Sequence, residues 1–156
     1  MLRHVKSASL IGVVIVVLVA AGCGGSGKIH FATTKFVLHS GLAFGAFHHF
    51  IYKPLQAGDF KHPLQHKGEV VKAGLAAVFA VHELKIAYKD AKASKVLSKL
   101  AGSLDALATK IDGIGSNLKL GNFNAGDITA VNNDISSLTQ QSPIHIKDLP
   151  TPSLGG

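Results

Sequence analysis

Apolar residues in the second half of the chain recur at alternating spacings of three and four: Leu97, Leu100, Leu104, Leu107, Ile111, Ile114 and Leu118. This is the repeat of a coiled-coil seam, and it predicts a helix over 91–118. Gly113 and Gly115 weaken its last turn, so it is expected to fray or end near Gly115. After a glycine- and asparagine-rich turn, Ile128, Val131, Ile135 and Leu138 resume the spacing. Asn124 is placed to cap the free amides of this further helix, and Asp127 suits its positive end. The two helices read as an antiparallel hairpin with a shared seam, turning Asn132, Asn133, Ser136 and Ser137 to solvent.

The first half is more apolar. From Thr33 to Tyr52, Phe36, Ala43, Phe47 and Phe50 fall on one helical face and Gly41, Gly45 and His48 on another, which predicts the central helix of the fold. Gly41 and Gly45 lie one turn apart and admit a second backbone. The helix expected from Pro63 to Lys89 carries a small apolar middle, "AGLAAVFAV", suited to that groove, with Pro63 in its first turn. Residues 31–141 therefore predict an all-α domain, a small four-helix bundle of two antiparallel hairpins. Pro143, Pro150, Pro152 and the terminal glycines mark residues 142–156 as an extended or disordered tail. Phe36–Phe50 has no formal charge but includes His39, His48 and His49. As a helix it covers about 22 Å, short of a hydrocarbon core of about 30 Å, which favours a buried bundle helix over a spanning one.

The N-terminus follows a different pattern. Arg3, His4 and Lys6 precede an uncharged run from Leu10 to Ala21, and small residues then surround Cys23, the only cysteine. Basic, apolar and small-residue regions in this order make a secretory signal. The run "AAGC" at its end resembles the lipobox of bacterial lipoproteins: Ala21, Gly22 and Cys23 match, while Ala20 stands where leucine is usual. The resemblance covers residues 1–27 and implies cleavage after residue 22 and a diacylglyceryl group on the Cys23 thiol. It implies residence on the extracytoplasmic face of the membrane, with residues 23–30 as lipidated cysteine and glycine/serine tether.

Removal of residues 1–22 leaves fourteen basic side chains, all lysine, against nine acidic ones. The excess lies in Lys28–Lys99, with eleven lysines and four acids, whereas residues 101–156 carry three lysines and five acids. A basic half beside a membrane can approach anionic lipid headgroups, at about 1 kcal/mol per lysine near the surface; a solvated lysine-rich face is the plainer alternative. Another envelope protein is the remaining partner class. Nucleic acid is not expected, since the exported part has no arginine or tryptophan for reading or stacking on bases.

Histidine supplies the candidate chemistry. If the first two helices form an antiparallel hairpin, His48 and His49 end one helix close to His62 and His66 at the start of the next. Imidazole nitrogens, with Glu69 three residues after His66, are suitable ligands for zinc or copper. The plainer reading is a polar, wet end to the bundle. The same hairpin would bring His39 and His82 within about a turn of each other, as candidate haem ligands, although a buried, hydrogen-bonded histidine is the commoner outcome. Lys61, His62, His66 and Lys67 surround a helix start and could attract an anion. Neither a "GxSxG" elbow nor a "GxxxxGK" phosphate loop occurs, and an acylated Cys23 is no nucleophile. The expected role is thus non-enzymatic: interaction or structure at the cell envelope, with a histidine-rich metal module as the alternative.

Overall fold

A computed structural model describes residues 26–153, whose regular elements are all helical, with no strand among them. Cys23 and the signal-like segment lie outside the described residues. Helix α1 (Ser26–Phe47) starts inside the stretch expected as a tether. It runs on through a π-turn (His48–Tyr52) and the short α2 (Lys53–Ala57). Gly58 ends this helical body with φ of 85°, in the left-handed region that favours glycine. Pro54 has no amide to donate and its ring crowds the preceding turn; the wider π-turn directly before it relieves both.

Several helix boundaries differ from expectation. Helix α3 (Lys67–Ala93) begins four residues after Pro63, because the amides of Gln65 and His66 both bond to the His62 carbonyl in a separate turn. The helix expected over 91–118 is broken, since Ser94 takes an extended conformation (φ −110°, ψ 122°) and ends α3. A 3-10 turn (Ser98–Leu100) then leads into α4 (Ala101–Lys119). Leu97 and Leu100 are buried all the same, so the seam is kept while its backbone changes. Helix α4 continues past Gly115 because that glycine is buried against α3, where a Cβ would lie 2.7 Å from Ala77 Cβ. In α5 (Ala125–Gln141) the Asn124 side chain accepts the Gly126 amide at 2.8 Å, the cap that was expected.

Helix α1 packs along α3, α3 along α4, α4 along α5, and the π-turn reaches α5. The central helix is therefore α3, not α1. Its buried alanines, among them Ala73, Ala76, Ala77 and Ala80, let neighbours approach on two sides. Phe36, Phe44 and Phe47 from α1 and Ile51 from the π-turn meet Leu84, Leu104, Leu107, Ile111, Ile128 and Val131 in one core. Phe50, expected on the core face, is half-buried, because the additional residue of the π-turn hands the core place to Ile51.

The glycine groove of α1 holds neither α3 nor any other helix. Residues 142–153, expected as an extended or disordered tail, form no helix or strand and pack on the bundle: Ile146 is buried, and the Leu149 amide donates to the Gly41 carbonyl at 2.9 Å. A Cβ on Gly41 would stand 2.5 Å from the Lys147 oxygen, and one on Gly45 would overlap the Leu149 oxygen. Among the described residues no helix is long and apolar enough to cross a membrane.

Candidate functional site

Gly41, Gly45 and His48 share the face of α1 that receives the C-terminal strap, as their spacing predicts. His48 closes the groove at its lower end. Its Nδ1 lies 2.6 Å from Asp148 Oδ2 on the strap and its Nε2 lies 3.1 Å from Asn132 Oδ1 on α5. A protonated imidazole donates to both oxygens. A neutral one donates to Asp148 and accepts from Asn132 with the amide turned over. In either state one side chain ties three segments that are far apart in sequence.

Beside this latch is an open groove of about 530 Å³, lined by His49, Phe50, Lys53, Lys72, Leu149 and Pro150 among others. It lies where the end of α1 meets the start of α3, with the strap as its third wall. Lys72 is also 3.4 Å from Glu69 on its own helix. The lining is thus mixed, with apolar Phe50, Leu149 and Pro150, two lysines and the His48–Asp148 pair.

A second polar contact sits higher between α1 and α3. His39 Nδ1 is 2.5 Å from Glu83 Oε2, and Glu83 is buried. Two turns along α3, burial pushes the Asp90 carboxyl above its usual range, against the opposing pull of His39 and Lys35. One oxygen of Asp90 is buried without a hydrogen-bond partner. A buried carboxylate is costly unless paired, and here Glu83 has a partner at hydrogen-bond distance while Asp90 Oδ2 has none.

The four histidines expected to meet do not share a site. His48 faces Asp148 and Asn132, His49 lies against the Phe50 ring, and His62 is exposed. His66 Nδ1 is 3.9 Å from Asp59. No group of three or more metal-ligating side chains gathers among the described residues. The physical reason is the extension of α1 through the π-turn and α2, which places two further turns between its histidine pair and the start of α3. His82 is exposed while His39 is taken by Glu83, so these two do not face each other as haem ligands would. The start of α3 keeps Lys61, His62 and Lys67 in solvent.

Two of the residues that matter were missed. Glu83 left a signal in the sequence, since it follows Ala76 and Ala80 and precedes Ala87 at the spacing of a buried face. Asp148 left none, because its partner is a hundred positions away. Comparison of the chain with protein-family models, with curated proteins and with solved structures finds no match.

Proposed function

We propose that the chain is a lipid-anchored, extracytoplasmic helical protein of the bacterial cell envelope, with an interaction or structural role and no catalytic one. The observation that carries this reading is the order of residues 3–23: basic Arg3 and Lys6, the apolar run, small Ala21 and Gly22, then the sole cysteine. Two acyl chains on Cys23 would hold the protein stably, where one would hold it only marginally. The finer arrangement we propose is a pair of antiparallel hairpins, α1 with α3 and α4 with α5, behind a signal peptide of residues 1–22. The polar contacts described above support an architectural reading, because His39–Glu83 and His48–Asp148 each join one packed segment to another.

Cys23→Ser tests the anchor. In a bacterial host fed a fatty-acid probe, the native chain takes the label and loses its first 22 residues, whereas the variant takes none and is left uncut or released. A native chain that stays unlabelled and keeps residues 1–22 overturns the proposal.

A further inference from the structure

Among the described residues, nothing packs on the side of α1 and α3 that faces away from the core. Five of the eight exposed large apolar side chains lie on it: Phe31 (62% exposed) and Leu38 (45%) on α1, and Val71 (61%), Leu75 (49%) and Val78 (52%) on α3. At 100° per residue, Phe31 and Leu38 share one stripe and Val71, Leu75 and Val78 another. Each stripe lies opposite its helix's buried face, and His39 stands level with Glu83 and Lys35 near Asp90. The stripes therefore lie on one outer side but are offset along it, that of α1 beside the second half of α3 and that of α3 near its start, next to the groove. Apolar patches of this kind mark contact sites.

The charge on this surface is mostly positive. Within residues 31–93 every acidic side chain is buried or half-buried, whereas Lys35, Lys53, Lys85 and Lys89 are all exposed. Lys35 Nζ sits 4.4 Å from the Phe31 ring centroid, an aromatic and a cation in the pairing suited to a lipid–water boundary. The exposed acids Asp105, Asp112 and Asp127 lie on α4 and α5, and Asp148, exposed on the strap at the groove, is paired with His48. Position relative to the anchor points the same way. Cys23 precedes Ser26, the first described residue of α1, by three residues, a chain length of about 11 Å at most.

We infer that the outer face of α1 and α3 is a membrane-contact surface that lies on an anionic bilayer, its apolar stripe in the headgroup boundary and its lysines among the headgroups. This inference rests on the anchor proposed above and goes beyond it: the bundle lies down on one defined side instead of standing off on a tether. Each lysine near an anionic surface tightens such binding about fivefold.

The chain has no tryptophan, so one introduced indole reports its own surroundings. The full chain, matured in a bacterial host and reconstituted in vesicles, is compared as Leu75→Trp and as Ala130→Trp, the latter exposed on α5. In phosphatidylglycerol vesicles with brominated acyl chains, Leu75→Trp is expected to shift to shorter wavelength and lose emission, and Ala130→Trp to do neither. Lys53→Gln with Lys89→Gln, or phosphatidylcholine in place of phosphatidylglycerol, should restore most of the lost emission. Equal quenching at the two positions, no quenching at Leu75→Trp, or quenching indifferent to lipid charge overturns the inference. So does a blue shift that follows protein concentration without lipid-dependent quenching, which assigns the face to a second copy. The anchor fails separately. A chain unacylated by mass yet quenched at Leu75→Trp removes the anchor alone, and an acylated, vesicle-bound chain without quenching removes the face alone.

Discussion

One substitution made at three helical glycines should give three different results. Gly113 has open space where a Cβ would go, Gly115 has Ala77 Cβ at 2.7 Å, and Gly45 has the Leu149 carbonyl oxygen in overlap. Gly113→Ala therefore keeps only the gain in helix propensity and should stabilise the fold by about 0.5–1 kcal/mol. Gly115→Ala must push α3 and α4 apart, an overpacking cost of about 1–3 kcal/mol less that same gain. Gly45→Ala is the informative case, because the Cβ is fixed by the helix backbone and the oxygen it meets is a backbone atom, so neither can rotate away. The strap must leave, losing the burial of Ile146, about 1.5–3 kcal/mol in gross terms. It also loses the Leu149 amide bond to Gly41, about 0.5–1.5 kcal/mol. The released segment regains conformational freedom, which offsets much of that loss. Global stability should thus fall by no more than about 2 kcal/mol, while local protection of the strap disappears. Denaturant melts followed by circular dichroism read the global term; amide exchange at Leu149 and tryptic cleavage after Lys147 read the local one. A Leu149 amide as protected in Gly45→Ala as in the native chain, or three variants with the same melt, would refute the reasoning.

Leu104 is wholly buried in the α4 seam, so Leu104→Asp places an unpaired charge in the core and should cost about 4 kcal/mol or more; an unchanged melting temperature would contradict the register of α4. Asp90 is held above the usual carboxylate range by burial, so the folded state keeps its proton to higher pH than the unfolded chain does. Its penalty is present at neutral pH and relieved as pH falls through the folded pKa. Asp90→Asn should melt higher than the native chain at neutral pH, with the gap closing in acid; no gap, or a gap of opposite sign, would show that His39 and Lys35 outweigh burial.

Much of the fold was legible because its core obeys short-range periodicity. The Leu104–Leu118 and Ile128–Leu138 spacings name the buried faces of α4 and α5, and Asn124 names the cap. The break at Ser94 was not legible for a physical reason. Leu97 and Leu100 stand at seam spacing whether the chain between them is α-helix or a turn followed by a 3-10 turn, and burial rewards the side-chain positions in either case. Glycine was ambiguous in the same way. Gly115 reads as a weak point when only propensity is considered, yet against Ala77 it is what permits α3 and α4 to close.

The polar contacts were harder to read because they depend on partners that no local pattern links. A glycine pair one turn apart announces that some backbone comes close, but it does not say which. Here the extended strap can enter because it has its own carbonyls and amides to offer, and one of its amides finds the Gly41 carbonyl. A helix such as α3 has its backbone groups already engaged and presents side chains to a neighbour. His48 follows from the same choice. Once the strap lies beside Gly41 and Gly45, the next turn of α1 brings the imidazole to Asp148, and the extended α1 body carries it away from His62 and His66. The histidine cluster suggested by the sequence and the strap found in the structure are therefore competing uses of His48, and the packing of residues 146–149 decides between them.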